Sequence, residues 1–361
     1  GNGSTITNGF SPFNDGAITL GTDGGTQTFN GGLNMISSPA TGITLNGTIQ
    51  SSNDQFVLIN VTLASDTIID TNATSSTGGI LINTVTGNNN NLTLSTGDNV
   101  NANINMSIAS QASSGIATLT LRDIGGRFFT DGNISATTLS VDNTVHDVSF
   151  TGGTNAFTNA VTFQNDGTLV LGNSASDTFS FGGGVTENTT GTVTLASAIS
   201  SSNDAISFGA VTLGSATSID TNATSNVADI TVAAITGGSQ NLTLSTGNNI
   251  AGADITASGA ISGLGDLTLA DVGGTATFSN NVAAAVLDAD NTVANITFTG
   301  STNTFNGAAT LANDGTLTFG DATGDSFTFN GGLTTSSVAG TVTLNTSISS
   351  SNDAMVFGAI T

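Results

Sequence analysis

Short segments in which apolar and hydroxyl residues alternate recur throughout the 361-residue chain. Such alternation predicts half-buried β-strands, with the apolar pair facing a core and the hydroxyl facing solvent. Gly, Asn, Asp and Ser, which favour turns, fill the intervals between the segments. Two or three strands per turn would give coils of roughly 20–30 residues, the range of solenoid repeats. Seven of these segments are Val61-Thr62-Leu63, Leu92-Thr93-Leu94, Leu119-Thr120-Leu121, Val148-Ser149-Phe150, Val161-Thr162-Phe163, Phe179-Ser180-Phe181 and Val193-Thr194-Leu195.

Longer blocks also recur, at intervals of 148 to 151 residues. They define a super-repeat of about 150 residues, without visible linkers at its boundaries. We therefore predict one continuous β-solenoid over residues 1–361. The blocks include SSND at 51–54, 201–204 and 350–353, NLTLSTG at 91–97 and 241–247, and NDGAITLG at 14–21 matching NDGTLVLG at 165–172. The predicted divisions are a partial unit 1–50, a unit 51–200, a unit 201–349 and the start of another at 350–361.

The pattern predicts an all-β fold, a parallel β-helix of about 14 coils, because a clean ladder of hairpins is not evident. An array of β-sandwiches is the alternative. In a parallel coil each strand pairs with the strands above and below it. The Phe residues are expected to stack in its core, and Asn88–Asn91 to form an amide ladder. The repeated Phe pairs are Phe150 and Phe298, Phe157 and Phe305, Phe179 and Phe327, and Phe181 and Phe329.

The composition excludes several classes of protein. There are 25 acidic residues and two basic ones, neither of them Lys, and the net charge is −23. Binding to nucleic-acid phosphates is therefore excluded. No run of about 18 apolar residues exists, which excludes a membrane-spanning helix in this chain. Cys is absent, which excludes disulfide scaffolds and Cys-based zinc sites. An apolar content of 37% argues against disorder.

The candidates for chemistry are few. Arg122, Arg127 and His146 fall within 25 positions of one another, and the next copy has Ala270, Thr275 and Ala294 instead. They are the cationic groups on which a polysaccharide lyase would depend, but ordinary surface substitution explains them as well. We assign no catalytic, cofactor-binding or metal-binding residue and predict that the chain is not an enzyme.

Two binding alternatives remain open. Acidic turns, and the pair Asp288 and Asp290, offer oxygen ligands for Ca²⁺. However, the G-G-x-G-x-D calcium repeat does not occur, and Asx hydrogen bonds account for Asp in turns. Thr-x-Thr pairs such as Thr26/Thr28 and Thr275/Thr277 suggest an ice- or mineral-binding face, but their spacing along the sequence is irregular.

The long units, the Thr, Ser, Asn and Gly bias, the poverty in Lys and Cys and blocks such as NLTLSTG resemble bacterial large exoproteins. These include filamentous-haemagglutinin-like adhesins and autotransporter passenger domains. The resemblance spans the whole chain in style and rests on no diagnostic motif. It implies a right-handed parallel β-helix, an extracellular or cell-surface location, and a structural or adhesive role. A carbohydrate-binding or carbohydrate-cleaving β-helix is the second hypothesis.

The chain begins and ends inside a repeating unit, so we expect an internal segment of a longer protein. The expected partner is the protein itself, either as a continuation of the chain or as copies stacked end to end into a filament. Surface glycans and other cells are further expected partners.

Overall fold

A computed structural model describes residues 3–13, 15–21, 24–36, 42–97, 101–107, 111–248 and 250–361. Asn14, which opens the first NDG block, lies outside them. The described residues form strands and turns without helices, and the parallel strands stack as a β-solenoid of about 15 turns in all. The strands group into two compact units. The first comprises Gly1–Gly172 with Asn188–Thr192, and the second Asn173–Glu187 with Val193–Thr361.

The described strands of the first unit are of two kinds. Short strands belong to one face of the coil, and long strands bend and contribute to two faces. They are β1 Ser4–Ile6, β2 Ile18–Leu20, β3 Thr26–Phe29, β4 Leu33–Asn34, β5 Ile43–Gln50, β6 Phe56–Leu58, β7 Val61–Asp70, β8 Ile80–Ile82, β9 Val85–Ser95, β10 Ile104–Met106, β11 Ser113–Leu121, β12 Ile124–Thr130, β13 Ile134–Val141, β14 Val145–Phe150, β15 Thr154–Phe157, β16 Val161–Phe163 and β17 Leu169–Leu171.

The described strands of the second unit follow the same scheme. They are β18 Thr178–Phe181, β19 Val185–Glu187, β20 Val193–Leu195, β21 Ala198–Ser201, β22 Ile206–Phe208, β23 Val211–Leu213, β24 Thr217–Asp220, β25 Ile230–Val232, β26 Ile235–Thr236, β27 Leu242–Ser245, β28 Ile255–Ala257, β29 Ile261–Ala270, β30 Thr275–Phe278, β31 Val282–Ala289, β32 Asn295–Phe298, β33 Thr302–Phe305, β34 Ala309–Leu311, β35 Leu317–Phe319, β36 Ser326–Phe329, β37 Leu333–Thr334, β38 Val342–Leu344, β39 Ser347–Ser349 and β40 Met355–Val356.

Parallel pairing between successive coils builds three faces in the first unit. Face 1A is the ladder β4, β6, β8, β10, β12, β14 and β17. Face 1B contains β2, the first halves of β5, β7, β9, β11 and β13, and β15. Face 1C contains β1, β3 and the second halves of the same long strands.

The second unit also has three parallel faces. Face 2A contains β20, β23, β26, the first halves of β29 and β31, β33, β36 and β39. Face 2B contains β18, β21, β24, β27, the second halves of β29 and β31, β34, β37 and β40. Face 2C contains β19, β22, β25, β28, β30, β32, β35 and β38.

The predicted strands and their parallel pairing are confirmed. Each of the seven alternating segments lies within a strand with both apolar residues buried. The length of a coil varies, because far fewer residues separate Ile43 from its partner Val61 than separate Thr86 from its partner Ser114. Long coils accommodate their extra residues in bends, as in β11 and β29, where Gly115 and Gly263 have φ of +68° and +62°.

The core is a column of apolar side chains, as the repeated Phe residues predict. All eight of those Phe side chains are at most 2% exposed. In the second unit, Phe298 stacks on Phe278 with ring centroids 4.8 Å apart and on Phe319 at 5.9 Å. Because strands of successive coils are paired in register, like side chains meet like along the column.

Asp and Asn side chains join neighbouring coils at the turns. The carboxylate of Asp254 accepts a hydrogen bond from the backbone N–H of Thr275, one coil further on, at 2.7 Å, and Asn295 accepts that of Thr316 at 2.9 Å. The amide ladder predicted for Asn88–Asn91 is wrong. Asn88 and Asn90 both donate to the backbone carbonyl of Leu63 on the neighbouring coil, so their amides bond to the backbone and not to stacked amides.

The super-repeat does not contain a whole number of coils. Val193 lies on face 2A, and its counterpart Val342 lies on face 2C, six coils and two thirds of a seventh later. We call this offset between super-repeat and coil the phase of the super-repeat. The first unit has the same phase, because Ile18 lies on face 1B and its counterpart Leu169 lies on face 1A. Within each unit, counterparts one super-repeat apart therefore occupy different faces.

The core column gives a direct test of stability. We expect Phe298→Ala to lower the free energy of unfolding by about 3–5 kcal/mol, because it leaves a cavity among packed rings. The control is Phe129→Ala on the outer surface of face 1A, which should cost about 1 kcal/mol through its contact with Arg127. Chemical denaturation measures both. Equal losses for the two variants would contradict the assignment of Phe298 to the core.

Candidate functional surfaces

The two arginines lie on the outer surface of the first unit. Arg127 extends over the ring of Phe129 on the same strand, with its guanidinium carbon 4.6 Å from the ring centroid. Arg122 lies 4.0 Å from the carboxylate of its neighbour Asp123, and about half of each side chain is exposed. A contact at this distance and exposure contributes little to stability.

His146, the one histidine of the sequence, joins two coils. Its Nδ1 lies 2.8 Å from Oδ1 of Asp166, and its Nε2 lies 3.9 Å from Oδ1 of Asp147. The hydrogen bond to Asp166 raises the pKa of His146 above 6.5, partial burial lowers it, and the charges of Asp147 and Asp166 raise it further. The result is a pKa above the ordinary value.

Adjacent coils of face 1A bring Arg127 close to His146 and to its neighbour Asp147. Arg127 lies in register with Asp147, but that carboxylate already accepts the backbone N–H of Thr168 at 2.6 Å and its hydroxyl at 2.8 Å. Within the described part of the chain, no group of three or more His, Asp or Glu side chains has an arrangement that could hold a metal ion. Asp288 lies in register with Thr268 and Thr310 on face 2B.

A shallow groove of about 450 Å³ on the first unit is lined by hydroxyl groups, among them those of Thr48, Thr93 and Thr120. Asp66 is the acidic side chain among its described lining residues. Its carboxylate accepts the backbone N–H of Asn91 at 2.9 Å and the side-chain amide at 3.0 Å. A glycoside hydrolase of the common type needs two carboxylates, so this lining offers half of such a pair.

Face 2C presents an unbroken file of hydroxyl groups that sequence reasoning missed. One outward residue of each of eight successive strands lies in register with the next. In the described part of the chain, none of the eight hydroxyls makes a hydrogen bond to another protein group. The residues of this hydroxyl file are Thr186, Ser207, Thr231, Thr256, Thr277, Thr297, Thr318 and Thr343.

The irregular spacing of Thr along the sequence therefore does not carry over to this face of the coil. The residues are unevenly spaced along the chain because the loops differ in length, yet each occupies the same place on its coil. The outward residues of face 1A differ, since Leu81, Asn105 and Phe129 follow one another in register. Strand geometry alone thus does not impose Thr at such a position.

No protein-family model, curated protein or solved structure matches this chain. Among the described residues there is also no helix long and apolar enough to cross a membrane. The surfaces described above are therefore the basis for any functional assignment.

Exchanging the three cationic residues for their counterparts in the next copy tests whether they form a site. We expect the triple variant Arg122→Ala, Arg127→Thr, His146→Ala to keep its circular dichroism spectrum and to lose at most about 1 kcal/mol of stability, because each contact is exposed. Urea denaturation at neutral pH measures the difference. If the wild-type chain cleaves a polysaccharide and the variant does not, the three residues belong to an active site.

Proposed function

We propose that the chain is a non-enzymatic structural or adhesive β-solenoid of the bacterial cell surface or extracellular space, part of a rigid rod or filament. The observation that carries this proposal is the phase of the super-repeat. A repeat that served one binding face would return to that face in every copy. Val193 and Val342 instead lie on different faces of one unit, so what the repeat maintains is the coil itself.

The interactions common to both copies support the same function. In the first unit, Asn72 donates its side-chain amide to the carbonyl of Ser51 at 3.0 Å. In the second unit, Asn222 donates to the carbonyl of Ser201 at 2.9 Å. The steps between paired strands match as well, because β5 to β7 and β20 to β23 advance by the same number of positions. The copies thus share contacts that fasten coils, whereas their cationic residues differ.

The charge of the chain favours axial over lateral assembly. Its net charge of −23 opposes side-by-side packing at low salt, and screening relaxes this repulsion at physiological ionic strength. A parallel coil leaves backbone groups unpaired at a terminal edge. Pairing of such edges between copies is the route by which we propose that a filament grows.

Sedimentation velocity and negative-stain electron microscopy of the purified chain test this function. We expect linear assemblies whose length increases with protein concentration, and no release of reducing or unsaturated ends from a panel of polysaccharides. A discrete monomer over the whole concentration range at physiological salt would contradict the filament. Turnover of any polysaccharide in the panel would contradict the non-enzymatic role.

The hydroxyl file of face 2C favours a second candidate function, binding to a neutral carbohydrate surface. Each Thr offers a free hydroxyl and a methyl group, and successive strands are about 4.8 Å apart. The file itself is uncharged, and the second unit contains no Lys, Arg or His. These features suit an uncharged, hydroxyl-rich partner. Weak contacts repeated along one face would add through multivalency.

A triple substitution within the file tests the second candidate. We expect Thr256→Val, Thr277→Val, Thr297→Val to reduce binding to insoluble cellulose at least several-fold, because the hydroxyls are lost while side-chain shape is kept. The matched control is Thr194→Val, Thr212→Val, Thr236→Val on face 2A, which should bind as the wild type does. Equal binding by all three proteins would contradict this function. Inhibition of ice growth that only the file variant loses would assign the file to ice instead.

A further inference from the structure

Two turns, one in each unit, share their backbone hydrogen bonds but differ in their titratable neighbours, since His146 and Asp147 in the first unit stand where the second has Ala294 and Asn295. In the first unit, Gly167 donates its N–H to the carbonyl of His146 at 2.8 Å, and Asn165 donates its side-chain amide to the same carbonyl at 3.1 Å. In the second unit, Gly315 and Asn313 bond in the same way to the carbonyl of Ala294, at 2.8 and 3.0 Å. The turns are thus a matched pair.

Each turn also buries an acceptor without a donor. The side-chain oxygens of Asn165 and Asn313 are buried and have no hydrogen-bond partner. Burying an unpaired acceptor is unfavourable, and it weakens both turns alike. A change in their relative protection therefore reports the contacts that differ between them.

The difference between the turns lies in their side chains. The imidazole of His146 reaches from its own coil to Asp166 in the next, at 2.8 Å. Ala294 leaves a depression of about 210 Å³ at the equivalent place, lined in part by Thr292 and Asp314. The second unit therefore has the acidic partner and the space, but not the base.

We propose that His146 and Asp166 form a proton-dependent clasp that fastens the turn at 165–168 to the preceding coil in the first unit, while the turn at 313–316 lacks it. The other charged groups facing the clasp are Asp147 on the same strand and Arg127, which lies in register with Asp147 on the preceding coil.

The direction of the pH effect follows from the hydrogen bond. Asp166 raises the pKa of His146 above 6.5 in the folded chain. The clasp therefore contributes fully below pH 6.5, and its contribution is lost as the pH rises through the folded value. The clasp is therefore stronger in mildly acidic than in alkaline solution.

Hydrogen exchange of the two turns, corrected for intrinsic exchange rates, tests the proposal within one molecule. Between about pH 5.5 and about pH 8.5, we expect protection of the Asp166 and Gly167 amides to fall about two- to fivefold relative to the Asp314 and Gly315 amides, as for an exposed ion pair. His146→Ala should abolish the difference. Asp166→Asn should abolish it too and should lower the pKa of the single imidazole, followed by NMR.

The reciprocal variant transfers the clasp. Ala294→His should impose the same pH dependence on the Asp314 and Gly315 amides, because the depression accepts the ring beside Asp314. Identical pH profiles for the two wild-type turns would overturn the proposal. So would a pH dependence at Asp166 and Gly167 that survives His146→Ala.

Discussion

Parallel backbone pairing between successive coils is the constraint on which the rest of this structure depends. A single coil cannot satisfy the backbone N–H and C=O groups that point along the solenoid axis, so each coil is stable only between neighbours. In-register pairing then places Phe above Phe in the core, as for Phe278, Phe298 and Phe319. It also brings Asp and Asn side chains near strand entries within reach of N–H groups of the next coil, so that Asp254 reaches Thr275. Core packing and turn chemistry both follow from the ladder.

The phase of the super-repeat separates what is repeated from what is displayed. Because six and two thirds coils intervene, a side chain and its counterpart cannot share a face within a unit. Features of one face must therefore be assembled from non-equivalent positions. The hydroxyl file does this, since Thr343 on face 2C is the counterpart of Thr194 on face 2A. The repeat thus specifies the coil, whereas the side chains displayed on a given face differ from one copy to the next.

The strands, their parallel pairing and the buried Phe column could be predicted because both the alternation of apolar residues and the long recurrence are visible in the sequence. The phase of the super-repeat relative to the coils could not be predicted. Coils differ in length, as the partners of Ile43 and Thr86 show. The number of residues in a segment therefore does not give its number of coils. The hydroxyl file was missed for the same reason. The contact of His146 with Asp166 could not be predicted from the sequence either. The two residues are 20 positions apart, and they meet only because the chain completes one coil between them.

The most direct test of this account is disulfide trapping in the second unit, since the chain contains no Cys. Thr318 and Thr343 are register partners, and neighbouring strands are about 4.8 Å apart, within disulfide range. The double variant Thr318→Cys, Thr343→Cys should close an intrachain disulfide under mild oxidation, whereas Thr328→Cys, Thr343→Cys should not. Thr328 is nearer to Thr343 along the chain but lies on face 2A, so the two variants distinguish pairing between coils from proximity in sequence. Rapid closure of the 328–343 pair with none of the 318–343 pair would contradict the account.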